Sequence, residues 1–142
     1  VSLPWPCLIR PAKLTDEGFI AHSWVESYHR GCRELRGVAF KGYRSAQFWR
    51  VARLLERSQE LVACDPDDPD HLLGWVVSAG PLLHYVYVSH LRRREGLASH
   101  LLAAAEAHAS TPLRAYSHRT QAGARVIASR SLDFDPCSVW RL

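Results

Sequence analysis

Val86-Tyr87-Val88-Ser89-His90-Leu91-Arg92-Arg93-Arg94-Glu95-Gly96-Leu97-Ala98-Ser99-His100-Leu101-Leu102 decides how the rest of this chain is read. It begins as an apolar β-strand, passes through an Arg-x-x-Gly-x-Ala turn from Arg93 to Ala98, and continues as an amphipathic helix. A strand that feeds a glycine-containing turn at a helix start is a physical recipe for holding phosphate. The first N–H groups of a helix have no partner within it, and its dipole favours an anion there. Gly96 lets the backbone approach a ligand closely, and small Ala98 leaves the next turn open. Arg93 and Arg94 can add charge-assisted bonds to a diphosphate.

Outward from this stretch, the order of elements is legible. Cys7-Leu8-Ile9-Arg10-Pro11 reads as a short strand ended by proline. Thr15 is a candidate N-cap, with Asp16 and Glu17 in the first turn of a helix whose stripe is Ile20, Trp24 and Tyr28. Residues 31–42 read as a loop and 45–57 as a second helix with Phe48, Val51, Ala52 and Leu55 on one face. Strands are expected at 60–64, 72–78 and 82–88, separated by the Asp/Pro-rich run 65–70 and by Gly80-Pro81. The helix after the turn runs to about His108, with Leu97, Leu101 and Ala105 as its core stripe. A fifth strand at 113–117, a helix at 120–130 and one or two short strands in 134–142 complete the chain. The order is β-α-α-β-β-β-α-β-α-β, with a further terminal β allowed.

The chain has 142 residues, of which 47% are hydrophobic and 23% charged, the profile of one globular domain over 1–142 with a core of its own. No apolar run reaches membrane-spanning length, and Val1-Ser2-Leu3-Pro4-Trp5-Pro6 is too short and uncharged for a signal peptide, so a cytoplasmic location and no membrane partner are expected. The absence of Met at position 1 points to a processed or trimmed start. Cys7, Cys32, Cys64 and Cys137 are scattered without Cys-x-x-Cys or clustered His, so no metal site and no disulfide framework is expected. The net charge of +4 and the Arg92-Arg93-Arg94 run admit a nucleic-acid partner, but the other arginines are dispersed and no helix-turn-helix or aromatic RNA-binding motif is present. A polyanionic small molecule explains the local basic patch as well.

Arg93, Gly96 and Ala98 in this setting resemble the acyl-CoA pyrophosphate loop, Arg/Gln-x-x-Gly-x-Gly/Ala, of the GNAT N-acetyltransferase superfamily. The order of elements agrees along nearly the whole chain, the N-terminal half by element type and not by motif. The resemblance implies an α/β fold with a central mixed, mostly antiparallel sheet flanked by about four helices. It implies acetyl-CoA as acyl donor and a primary amine as acceptor, joined by direct attack in a ternary complex, without metal. Homodimerisation stays open. The cofactor would be held by the backbone of Val86, Tyr87 and Val88 and by Arg93, Arg94, Glu95, Gly96, Leu97, Ala98 and Ser99.

His84 is the candidate general base, because it lies nine residues before Arg93 on the strand leading to the acyl group and an imidazole titrates near neutral pH. Strict alternation places Leu82, His84, Val86 and Val88 on one face of that strand, and Leu83, Tyr85 and Tyr87 on the other. A departure comes near the end. Many family members carry Asn-x-x-Ala-x-x-x-Tyr before Gly-Phe, the tyrosine protonating the departing thiolate. Here, whether aligned on Leu132-Asp133-Phe134 or on Gln121 and Ala124, Ser129 or Ala128 stands in its place. Tyr116 is the candidate substitute, with Ser117, His118 or a water as alternatives. Trp24, Glu26, Tyr28, His29 and Lys41 are candidates for the acceptor side. Two rivals remain: an acyl-CoA-binding module without turnover, which the missing tyrosine favours, and a basic nucleic-acid-binding protein.

Overall fold

A computed structural model describes residues 3–140. Six strands form one sheet in the order β1-β2-β3-β4-β5-β6: Leu8–Pro11, Gln59–Asp65, Asp68–Ala79, Leu82–Val88, Ala115–Tyr116 and Asp133–Phe134. The first four pair antiparallel, whereas β4 with β5 and β5 with β6 run parallel, giving the mixed and mostly antiparallel sheet expected. Four α-helices cover it: α1 (Glu17–Gly31), α2 (Phe40–Glu56), α3 (Leu97–Ala109) and α4 (Gln121–Ile127).

Each face of the sheet has its own core. On one, Ile20 and Trp24 of α1 and Val51, Leu54 and Leu55 of α2 pack on Val62, Trp75, Val77 and Tyr85. On the other, Leu97, Leu101, Leu102 and Ala105 of α3 and Ile127 of α4 pack on Leu61, Ala63, Val76 and Leu83. The alternation of apolar residues along β2 and β3 therefore serves two helix layers, which is why both strands read as nearly continuous hydrophobic runs. Trp24 and Trp75 stand 5.6 Å apart between rings and are almost wholly buried. The Trp75 indole N–H is satisfied by Ser23 Oγ at 2.8 Å.

Several boundaries move for identifiable reasons. α1 begins after a 3₁₀ turn, Leu14–Asp16, with Asp16 and not Thr15 at its N-cap position; this buried carboxylate makes no cap bond to the helix but accepts the Lys13 N–H at 2.8 Å and the Arg10 guanidinium at 2.7 Å. α2 starts at Phe40, inside the expected loop, because Tyr43 is buried and its hydroxyl donates to the Val25 carbonyl at 3.1 Å. That packing outweighs the roughly 1 kcal/mol helix penalty of Gly42. β2 and β3 extend into the acidic run, where Asp65 Oδ1 accepts the Asp67 N–H at 2.9 Å in a tight turn. Of the terminal strands expected over 134–142, β6 alone forms among the described residues, 141–142 lying outside them, and Pro136–Trp140 closes as a 3₁₀ turn in which Ser138 N–H donates to the Asp135 carbonyl. The four cysteine thiols are unbridged.

Gly74 of β3 is required by a close approach: a Cβ there would sit 2.6 Å from the Tyr87 carbonyl oxygen and against Leu97 and Leu101. Gly74→Ala is expected to cost about 1–3 kcal/mol by forcing β3 from β4 and α3. Gly42→Ala, with nothing within 4 Å of the new carbon, is expected to gain about 0.5–1 kcal/mol. Urea midpoints of the two variants should move in opposite directions.

Candidate functional site

The site begins where β4 and β5 part. Their parallel pairing is confined to Leu82 with Ala115 and Leu83 with Tyr116, and closes with Ser117 N–H donating to the Leu83 carbonyl at 3.0 Å. On its other edge, β4 stays paired with β3 to Val88. A β-bulge interrupts this second ladder: Val77 faces Tyr85, yet Ser78 faces Leu83, so His84 is the extra residue. The bulge overturns the strict alternation expected for β4. Leu83 joins the α3 face with Val86 and Val88, while Tyr85 and Tyr87 pack toward α1.

Beyond the bulge the register fixes which backbone groups face the opening. Ser89 N–H donates to the Leu73 carbonyl at 2.8 Å, so by alternation Tyr87 and Tyr85 exchange bonds with β3, and Val86 and Val88 turn theirs outward. The outward-turned backbone groups of β4 are therefore those of Val86 and Val88, and the Tyr87 backbone faces into the sheet. The Tyr87 ring stacks on Trp75 at 5.7 Å.

The turn after β4 is built from left-handed backbone at Arg94 (φ 64°) and Gly96 (φ 93°), with Glu95 between them. This curls the chain into α3, whose N-terminus receives no side-chain cap. The N–H groups of Leu97, Ala98 and Ser99 therefore open the helix, the first intrahelical bond being His100 N–H to the Gly96 carbonyl at 3.2 Å. Leu97 itself is buried in the core, so only its backbone is available; Arg94 and Ser99 are exposed and Ala98 half-buried. Arg93 turns back, its Nε donating to the Val88 carbonyl at 3.0 Å. Sequence reasoning missed the buttress behind this turn. The Trp5 indole N–H donates to the Glu95 carboxylate, the Arg92 guanidinium lies 4.9 Å from the Trp5 ring centre, and Leu3 faces Gly96.

His84 lies in the opening but deep within it, 1% exposed. Its Nδ1 is 2.8 Å from Ser117 Oγ, which is in turn 2.8 Å from His118 Nδ1. Its Nε2 is buried without a protein partner, beside a small cavity lined by Val86, Tyr116, His118, Gly123 and Ile127. The Ser117 hydroxyl has one hydrogen, so it donates to one ring and accepts from the other. When it donates to His118, His84 carries its hydrogen on Nδ1 and presents a lone pair from Nε2 to the cavity. Burial pushes the His84 pKa down to about 4, and that of His118 to about 3, where the charges of His84 and Arg50 add to burial. Both rings are therefore neutral at pH 7. Ser117 and His118 fall on a strand end where sequence offers only a polar dipeptide before the Thr120 cap, which accepts the Gly123 N–H at 2.9 Å.

Tyr116 lines the same cavity from β5, its ring 5.2 Å from Phe134. Ala128 caps the C-terminal end of α4 and Ser129 lies in the turn beyond, so no tyrosine enters from that helix. On the α1 side, His118 meets Trp24 and Tyr28 edge-on at 5.2 and 5.0 Å. Trp24 is core, and half-buried Tyr28 packs against the same cluster. Glu26 pairs with His22 at 2.8 Å, His29 bonds the Val38 carbonyl at 2.8 Å, and Lys41 is exposed on α2. Among the described residues no cluster of His, Cys, Asp and Glu could hold a metal ion, and no helix is long and apolar enough to cross a membrane.

Solved structures share this architecture. A protein of Pyrococcus furiosus provisionally assigned as an acetyl transferase matches with a TM-score of 0.65 at 16% identity, over 96% of this chain and 89% of its own. A GCN5-related N-acetyltransferase from Ralstonia eutropha JMP134 matches with a TM-score of 0.61 at 15% identity, over 92% and 94%. A ribosomal-protein-alanine N-acetyltransferase from Brucella melitensis biovar Abortus 2308 matches with a TM-score of 0.59 at 19% identity, over 91% and 93%. No protein-family model and no curated protein sequence matches the chain. The chain has the fold of the GNAT acetyltransferases.

The buried His84 makes a pH-dependent prediction. Its folded pKa of about 4 lies below its ordinary value of 6.5, so the stability from keeping it neutral is full above pH 6.5 and is lost as pH falls toward 4. The stability advantage of the native chain over His84→Gln should shrink across this window, by at most about 1.4 kcal/mol per pH unit. Urea denaturation at several pH values measures it, and a gap independent of pH would contradict a buried neutral imidazole.

Proposed function

We propose that this chain transfers the acetyl group of acetyl-CoA to a primary amine by direct attack in a ternary complex. The observation that carries the reading is the conjunction at one opening of a half-unpaired β4, an uncapped α3 N-terminus reached through left-handed Gly96, and an orphaned His84 Nε2. The fold supports it at the level of architecture. A pantetheine arm is an extended amide chain, and outward-turned groups of Val86 and Val88 fit it as a strand partner. The Val88 carbonyl is shared with Arg93, which leaves the Val88 N–H and both Val86 groups for that pairing. The N–H groups of Leu97, Ala98 and Ser99 fit a pyrophosphate, with Arg94 at the rim. Glu95 serves this loop by holding Trp5 and not by touching an anion.

The chemistry asks three things of the protein. As the amine nitrogen bonds to the thioester carbon it becomes strongly acidic, and neutral His84 takes its proton at Nε2, directly or through a water in the cavity. When Ser117 donates to His118, the His84 tautomer leaves this nitrogen free. A β4 backbone N–H facing the opening stabilises the carbonyl oxygen as it gains charge. The C–S bond then breaks, and Tyr116 or a water delivers a proton to the departing sulfur. A thiolate is a tolerable leaving group near neutral pH, so loss of the usual tyrosine is compatible with turnover. The weak basicity of His84 and the absence of that tyrosine also favour a second reading, a CoA-binding protein without transferase activity.

Thermal unfolding with acetyl-CoA at a hundred times its dissociation constant should show a stabilisation of about 2.7 kcal/mol. Gly96→Trp should abolish it, and Gly96→Ala, whose cost at φ 93° is roughly 1 kcal/mol, controls for backbone strain alone. A folded native chain that shows no shift would defeat both readings. With an accepted amine, Ser117→Ala should lower kcat about 10- to 100-fold with KM little changed, as expected for a group that orients the base. A stabilised chain that acetylates no amine would favour the second reading.

A further inference from the structure

A groove lies outside the parted strands, along α2. It holds about 460 Å³ between α2 and the terminal 3₁₀ turn, and its walls include Trp49, Arg50, Arg53, Arg57 and Val139. The three arginines follow a spacing of three and four residues, so they form one stripe extending about 10 Å along the helix. Trp49 is 64% exposed, an unusual position for so large an apolar ring. The Arg53 guanidinium lies 4.9 Å from the Trp49 ring centre, and both residues line the groove. Among the described residues no carboxylate comes within ion-pair distance of Arg53 or Arg57.

The terminal segment links one wall of the groove to the end of β5. Asp135 N–H donates to the Tyr116 carbonyl at 2.8 Å, and the chain then crosses from β6 to α2, where Val139 packs into the core under α1 and α2. His118, two residues beyond Tyr116, lies at that end of β5, and Arg50 is close enough for its charge to act on both His118 and Tyr43. An amine acceptor approaching from this side passes a row of fixed positive charges. Polycationic acceptors are repelled by it, and acceptors with negative charge a few residues from the amine are drawn in. The groove is open and its arginines are exposed, which suits an extended chain better than a small molecule that must be enclosed. Successive residues of an extended peptide advance about 3.3 Å, so two or three acidic side chains can meet the arginine stripe together.

We propose that the acceptor amine belongs to an acidic peptide segment, whose carboxylate or phosphate groups lie along Arg53 and Arg57 while the amine reaches the opening beside His84. This rests on the acetyltransferase reading above. Arginine forks bind both anions in bidentate fashion, so the two sources share one chemistry.

The test uses peptides with one common amino-terminal sequence and tails of glutamate, phosphoserine, serine or lysine. Binding is read by fluorescence anisotropy and acetylation by CoA release, at low and high salt. The glutamate or phosphoserine peptide should bind at least about tenfold more tightly than the lysine peptide, with the preference lost at high salt. Arg53→Gln/Arg57→Gln should remove the preference and leave the acetyl-CoA thermal shift intact. The tighter of the two anionic tails identifies the group the groove receives. Equal binding of all four peptides, or an anion preference that survives the double substitution, would overturn the inference while the acetyl-CoA shift still upheld the transferase reading. Loss of that shift in the native chain would instead bring down the transferase reading, and this inference with it.

Discussion

The pairing of β4 with β5 for only two residues is the constraint on which the rest of the structure depends. A sheet that continued this ladder would satisfy every backbone group of β4 and leave no opening. Here the ladder stops at Leu83, the bulge at His84 twists β4 away, and Ser117 and His118 turn β5 toward the Thr120 cap of α4. Backbone groups of Val86 and Val88 are left facing outward, and among the described residues only the Val88 carbonyl finds a partner, in Arg93. Such an edge is costly unless something pairs with it. The parting of two strands thus makes a polypeptide-like slot and, in the same stroke, delivers a buried histidine to its floor.

Electrostatics divides the molecule around that slot. Inside, two imidazoles linked through Ser117 are held neutral by burial, so no net charge opposes an amine losing its proton. Outside, positive charge collects on the α3 turn and on the α2 groove, at sites where it stays hydrated. Charged groups at the rim and neutral polar groups within follow from the expense of burying an unpaired ion.

The α3 turn shows how a local pattern is completed by distant residues. Arg94 adopts a left-handed conformation without being glycine, which carries a strain of roughly 1–2 kcal/mol. The turn is held by contacts from elsewhere: Trp5 on Glu95, Arg92 over Trp5, and Arg93 on the end of β4. The N-terminal segment is therefore part of the site, although it lies more than eighty residues away along the chain.

The sequence by itself determined the element order, the limits of β4, the glycine turn into α3 and the position of His84 in the strand leading to the site. These are properties of local pattern: apolar alternation, turn residues, and a glycine where the backbone must be left-handed. It also placed Tyr116 on the fifth strand and offered Ser117 and His118 only as substitutes for it, with no sign that they join His84. What only the tertiary structure decided is how strands pair and where they stop pairing. Bulge, register and parting angle depend on partners far apart in the chain, so alternation alone misplaced Leu83. The depth at which His84 sits, its link through Ser117 to His118, and the arginine stripe beside the opening exist only once β5, α2 and the terminal turn are packed together. Local steric and polar preferences act within a few residues and are written along the chain, whereas burial and charge environment are sums over everything that folding brings near.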